Sequence, residues 1–268
     1  VYTQNGRSNV TELYEMPERE LIKISLENGL SVTATPSQPI KVLNRQFEYE
    51  WKEAKDLSPS DYLVMRLDYP NDIPHAPLTQ WKGKEKKVNE EIAYLVGQFL
   101  SDGHIEKYRT INDDNNAGAF NFFSCSSDVI NRIQSILKNE FDYDATIQNR
   151  STGEDKFGPD QPTINQIRIT DSELNDYLAS NFRIDGSWRA NTKQIPEVFN
   201  RSPKSVIGAL LSGMIDGDGS VHKDRNVLHY GTVSEKMAEQ MQIIMQQLGV
   251  LGQRYSTDST QDFAILNG

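Results

Sequence analysis

Leu211-Ser212-Gly213-Met214-Ile215-Asp216-Gly217-Asp218-Gly219 is an apolar, small-residue run that ends in carboxylates and a glycine. Its start is as legible as its end. Ser202 is placed to cap the first turn and Pro203 to take the first helical position, where a missing N–H costs nothing. Gly219 is expected to adopt the left-handed conformation that closes many helices. The helix therefore delivers Asp218 at its C-terminal end, where the helix dipole disfavours a carboxylate by roughly 0.3–1 kcal/mol in an exposed site. A divalent cation would offset that cost. Ala209, Gly213 and Gly217 recur every four residues, and side chains four apart share a face, so a second backbone can approach closely along this stripe.

The partner for that stripe lies upstream, in Leu95-Val96-Gly97-Gln98-Phe99-Leu100-Ser101-Asp102-Gly103. Ala93, Gly97 and Ser101 stand in the same small-residue register, and Asp102 stands 116 residues before Asp218. The match runs on past the glycine: His104-Ile105-Glu106-Lys107-Tyr108-Arg109 aligns with Ser220-Val221-His222-Lys223-Asp224-Arg225, sharing an apolar second position, a Lys and an Arg. A repeat of this size predicts two similar half-domains.

Both stretches resemble the LAGLIDADG motif of homing endonucleases. The resemblance implies that the two helices pack at a pseudo-twofold axis and that Asp102 and Asp218 bind Mg²⁺ and serve the cleavage of double-stranded DNA. Lys193, in Asn191-Thr192-Lys193-Gln194-Ile195-Pro196-Glu197, looks like the family's Lys-x-Ile-Pro block, which implies a cation beside the metal centre and a part in catalysis. Ordinary buried helices with ordinary caps would explain one such stretch; two in register favour the endonuclease.

The balance of 38 acidic against 28 basic residues, net −10, argues the other way, because phosphate binding draws on Lys and Arg. The basic residues must then be concentrated on one face, or the surface must be adapted to a salt-rich cytoplasm. No apolar run is long enough to span a membrane. The single Cys125 excludes an internal disulfide and fits a cytoplasmic location. Histidines 75, 104, 222 and 229 are scattered in sequence, as surface or strand residues rather than a metal site.

Residues 1–87 read as a β segment with a linker. Leu21–Leu26 and Leu30–Thr35 flank the hairpin signal Glu27-Asn28-Gly29, Asn5-Gly6 is a second signal, and Pro39–Leu43 with Phe47–Trp51 form another strand pair. Val32-Thr33-Ala34-Thr35-Pro36-Ser37-Gln38-Pro39-Ile40 looks like the Thr-x-x-His block of inteins, and Trp51–Leu63 like their Ala-x-x-Leu-x-x-Gly-Asp stretch. The segment thus resembles the Hint-like splicing domain of an intein, whose partners are the flanking exteins. Thr35 and Gln38 form its splicing block, with Gln38 where the family has His and Ser60 where it has Gly. Gln cannot titrate near neutrality, Val1 is not the expected nucleophile, and Asn267-Gly268 lacks the closing His-Asn pair. As written, the chain is expected not to splice. The stretch 68–88, with three prolines and a lysine cluster, reads as a linker.

Residues 88–268 read as the endonuclease, in halves of about 88–180 and 181–268, each αββαββα-like. The whole is α+β and monomeric. After each motif come a strand and a helix: Ala119–Phe123, then Ile130, Ile133 and Leu137 on one face; Val227–Tyr230, then Met237, Met241 and Ile244. In the family such sheets form a saddle in the major groove, which makes Lys107, Arg109, Lys223, Arg225, Gln148, Arg150, Arg168 and Arg254 candidate DNA contacts. The alternatives are a splicing element with a degenerate endonuclease, or a module that binds DNA or RNA without cutting.

Overall fold

The computed structural model describes residues 2–3, 6–68, 73–106, 118–150, 163–184, 188–225, 227–256 and 261–266, with side chains described except at 2–7, 150, 201, 225 and 261–266. Strands β1 (Tyr2–Thr3) and β2 (Gly6–Arg7) pair antiparallel, as the Asn5-Gly6 signal predicts. β3 (Ile22–Ser25) and β4 (Ser31–Ala34) make the hairpin expected of Glu27-Asn28-Gly29. Gly29 takes φ +89° there, a region open to glycine. β5 (Pro39–Leu43) pairs with both β6 (Tyr49–Glu53) and β7 (Tyr62–Leu63).

The stretch expected to be a linker contains a hairpin, β8 (Pro77–Trp81) and β9 (Lys84–Lys87). Its proline content concealed the strand, because proline is tolerated at a strand's first residue. Trp81 is 4% exposed, donates Nε1–H to Phe141 O at 3.0 Å and meets the rings of Phe141 and Tyr177 edge-on. This hairpin is packed into the core of the first half.

That half runs α1 (Glu90–Asp102), β10 (His104–Glu106), β11 (Ala119–Ser124), α2 (Ser127–Phe141), β12 (Ile147–Arg150), β13 (Ile164–Arg168) and α3 (Ser172–Phe182). The second runs α4 (Lys204–Asp218), β14 (Gly219–His222), β15 (Val227–Thr232), α5 (Glu235–Gln247), β16 (Gly252–Ser256) and β17 (Gln261–Leu266). Each forms an antiparallel four-stranded sheet of the same order, β10-β11-β13-β12 and β14-β15-β17-β16. Asn89, Ser126, Asp171 and Ser234 cap their helices by accepting a backbone N–H from the first turn. The apolar faces of α2 and α5 are buried as their spacing predicts.

Three end signals of α4 work differently from expectation: Pro203 is the residue before the first turn, with ψ 155°, and Lys204 takes the first helical position. Ser202 Oγ donates to Val198 O at 2.9 Å, closing the preceding 3₁₀ turn Glu197–Arg201, so it does not cap α4. Gly219 is extended, at φ −84° and ψ 154°, and Gly103 at the end of α1 matches it at φ −73° and ψ 152°. Glycine is required there for space rather than handedness: a Cβ would lie 2.5 Å from Ile215 O at Gly219, and 2.4 Å from Phe99 O at Gly103. The chain passes straight from each helix into the first strand of its sheet.

Candidate active site

The site begins with the α1–α4 contact, where backbone approaches backbone. A Cβ at Gly97 would lie 2.2 Å from Leu210 O and 2.9 Å from Met214 N; one at Gly213 would lie 2.3 Å from Tyr94 O and 3.0 Å from Gln98 N. These contacts are reciprocal at the repeat spacing, the signature of a local twofold axis. Polar side chains tie the pair together. Gln98 Nε2 donates to Gly213 O at 2.7 Å, Ser101 Oγ donates to Met214 O at 2.7 Å, and Tyr94 OH donates to Asp216 at 2.8 Å. The Tyr230 hydroxyl lies 3.1 Å from Ser101 Oγ, and burial pushes its acidity well down. Sequence reading passed over Tyr94, Gln98 and Tyr230. The signal available was polarity, since Gln98 interrupts an otherwise apolar helix face and is 1% exposed.

The axis brings Asp102 and Asp218 together at the ends of the two helices. At Gly217, beside Asp218, a Cβ would lie 2.4 Å from Ser101 Cβ and 3.3 Å from Asp102 Oδ2, so glycine lets this helix end pass close to Ser101 and brings the Asp102 carboxylate beside it. Both acids are exposed. Loss of water around the packed helix ends pushes the Asp218 carboxyl up to about 6; the like charge of Asp102 adds to the shift and Lys193 opposes it. Desolvation likewise raises Asp102, again opposed by Lys193.

Lys193 joins them by a well-held route. Ser234 Oγ donates to Lys193 O at 2.6 Å, and Gln240 of α5 exchanges two 2.8 Å hydrogen bonds with the backbone of buried Ile195. The Lys193 ammonium then donates to Phe99 O at 3.2 Å, Ser101 O at 2.8 Å and Gly103 O at 2.9 Å. Three donors meet three carbonyls, so Lys193 satisfies the end of α1 and acts on the acids through its field. Desolvation brings it down to about 8, against the attraction of Asp218 and then Asp102.

Two like charges at the negative ends of two helices are a poor arrangement alone and a good one for a hard cation. The described residues contain no group of three or more His, Cys, Asp or Glu able to hold a metal. A cation here would therefore draw on the two carboxylates, backbone carbonyls and water, a donor set that suits Mg²⁺.

The candidate DNA contacts divide. Arg168 lies on the sheet face away from the helices, in register with Asn121 and His104, and pairs with Glu106 at 3.2 Å. Gln148 is exposed on the same face, opposite Gln166. Lys223 is exposed in the 3₁₀ turn after β14, not on a strand. Arg254 is a correction: it faces inward, donates to Gly29 O at 2.9 Å and approaches Glu239 at 3.6 Å, anchoring the β3–β4 hairpin. Lys107 and Arg109 lie outside the described residues, and Arg150 and Arg225 are placed only by their backbone, on β12 and in the turn after β14. Thr35 and Gln38 bracket the turn between β4 and β5, closed by Gln38 N donating to Thr35 O at 3.0 Å.

Comparison with known proteins gives partial matches along the chain. It is 22% identical over 249 residues to a DNA gyrase subunit of Mycobacterium gordonae, covering 91% of this chain and 40% of that protein. It is 25% identical to the RNA polymerase subunit Rpo1C (89% of this chain, 28% of that one) and 25% identical to the replication factor C small subunit (91% and 11%), both of Methanocaldococcus jannaschii. The chain thus spans two fifths or less of these curated relatives. Among solved structures it is similar to the homing endonuclease I-DmoI in complex with DNA and Mn, at TM-score 0.47 and 15% identity, covering 67% of this chain and 90% of that one. The homing endonuclease I-WcaI bound to its DNA recognition sequence gives 0.48 and 12%, covering 68% and 77%. The family model for a LAGLIDADG-like domain matches residues 205–265, the stretch that supplies α4, Asp218 and the second sheet.

Proposed function

We propose that the chain is a metal-dependent, site-specific endonuclease of double-stranded DNA carried within a protein-splicing element. The observation that carries the nuclease reading is the meeting of Asp102 and Asp218 at the ends of two helices packed backbone to backbone. Mg²⁺, when bound, would polarise a phosphate and lower the pKa of a water molecule. The chain's own residues hold that centre in place. Asp102 and Asp218 supply charge from opposite halves, the Gly97–Gly213 contact fixes their spacing, and Lys193 braces the end of α1 while keeping a positive field where phosphate charge builds. One acid from each half suits the cutting of two strands by a single chain.

Two observations support the splicing context. Subunits of DNA gyrase, RNA polymerase and replication factor C, a DNA helicase and a DNA polymerase are among the named relatives. They carry different names and the match covers only 11–40% of each, so a segment similar to all of them is explained best by an inserted element. The β segment before residue 68 is also short of a core: of its described hydrophobic residues only Val42 and Ala54 are buried. A cleft of about 1530 Å³, lined by Ile22, Ile24, Leu26, Leu63, Val250 and Leu251 among others, stands open beside it. Further strands of a splicing domain would fill such a cleft.

The test is cutting of plasmid DNA that carries the gene flanking this coding sequence with the insertion removed. Mg²⁺-dependent linearisation at the junction is expected. Duplex binding without cutting would instead favour a non-cleaving module.

A further inference from the structure

Two histidines that are apart in sequence meet on the second sheet. Strand pairing sets Ser220 opposite His229 and His222 opposite Val227, so Ser220, His222 and His229 share a face. β16 adds Gln253 and Tyr255, since Gln253 and His229 both pair with Ala264 of β17. Tyr230, next to His229, points the other way and is fully buried. The rings of His222 and His229 meet edge-on, 4.7 Å between centroids, and the Tyr255 hydroxyl lies 3.1 Å from His229 Nδ1. His222 is exposed, His229 half-buried and Tyr255 38% exposed.

Ordinary cations are scarce on this face. Among the described side chains of β14, β15 and β16 no Lys, Arg, Asp or Glu stands on it, because Arg254 is turned inward to Gly29. The backbone of Asp262 in β17 stands opposite Tyr255 in register, and the described charged side chains nearest by sequence are Lys223 and Asp224, in the turn after His222. On the first sheet the corresponding face carries His104, and its Arg168 is paired with Glu106. In a chain of net −10 histidine, the side chain that gains charge nearest neutrality, adds to the cations a phosphate can meet on this face.

We propose that His222 and His229, with Tyr255 orienting His229, form a contact to the DNA phosphate backbone that takes up protons as the duplex binds. This rests on the DNA reading given above. With the Tyr255 hydroxyl engaged at Nδ1, Nε2 is the ring nitrogen left to meet a phosphate, and it donates once the ring is protonated. Two imidazolium rings this close repel each other, and a phosphate beside them removes that cost. DNA therefore favours the charged rings, and by linkage falling pH favours bound DNA.

The experiment is fluorescence anisotropy of a labelled mixed-sequence duplex at constant ionic strength in EDTA. Because Asp102 and Asp218 are pushed toward the same pH range, the parent for this test carries Asp102→Asn and Asp218→Asn. Its affinity should rise roughly tenfold between about pH 7.5 and 6, and His222→Gln with His229→Gln should flatten that rise to within about twofold. NMR titration of the parent's histidine ring protons needs no further variant, and their midpoints should move up when the duplex is added. A pH dependence that survives both Gln substitutions, or midpoints that stay put, would overturn the histidine contact while leaving the DNA reading standing. Failure to bind duplex at any pH would overturn both.

Discussion

At Asp218 the fold holds a carboxyl against its own preference. It keeps its proton to about 6 in the folded chain against 3.8 ordinarily, so across that range the folded state carries the extra proton. Stability from this group is therefore present at acid pH and falls as pH rises through the window. Lys193 is the converse, losing its proton near 8 rather than 10.5, so stability rises with pH over that interval. Near neutrality both charged groups cost the fold free energy. Asp218→Asn should accordingly raise Tm in EDTA at about pH 7.5, by an amount that solvent screening of this exposed carboxylate keeps small, and a divalent cation should stabilise the parent more than the variant. An unchanged or lower Tm, measured by calorimetry, would contradict this reading of the acid pair. Lys193→Met should cost roughly 1–3 kcal/mol by orphaning the carbonyls of Phe99, Ser101 and Gly103. It should also move the acid limb of any cleavage profile to higher pH, since the lysine's field holds Asp218 down. The acids and Lys193 were legible in sequence because motif and spacing mark them; the lysine's three carbonyl partners were not, because they lie on a helix some ninety residues away.

Between the two motif helices the decisive chemistry is the lack of a side chain. Gly213 and Gly208 lie in the same helix and make opposite predictions. Alanine at Gly213 places its Cβ 2.3 Å from Tyr94 O, which forces the helices apart, and should cost more than about 2 kcal/mol in urea unfolding. Nothing lies within 4 Å of a Cβ at Gly208, so alanine there should stabilise by roughly 0.5–1 kcal/mol through helix propensity. Equal effects at the two sites would mean that α1 and α4 are not packed as described. The four-residue stripe made this contact readable in advance. Other elements resisted reading where a local signal served a different purpose. Pro77 opens a strand, Ser202 closes a 3₁₀ turn rather than capping α4, and Gly219 yields space rather than a left-handed turn. At Ser202 and Gly219 the residue type was recognised, and its use was decided by a carbonyl four residues back, Val198 O and Ile215 O.

Across the whole molecule, the β segment is held to the second half by the hairpin that ends in Asn28 and Gly29. Gln242 Nε2 and Arg254 N both donate to Asn28 O, at 2.6 and 2.9 Å, Arg254 donates to Gly29 O, Gln246 Nε2 donates to Arg66 O at 2.8 Å, and Lys204 pairs with Asp68. Arg254→Ala should therefore expose the β segment to limited proteolysis while leaving the α1–α4 pair folded, and equal protection in parent and variant would contradict that anchor. This role was hidden from sequence because an arginine on a strand reads equally as a phosphate contact or a tether, and only the position of Gly29 decides. The proposed activity turns on one carboxylate from each half cutting DNA. Its decisive assay is strand-resolved cleavage of the uninterrupted junction in Mg²⁺ by the parent, Asp102→Asn and Asp218→Asn proteins, with duplex binding followed in parallel. Double-strand cutting is expected of the parent and should be lost in both variants, with binding retained; cutting at the parental rate by either variant would contradict the paired-acid centre.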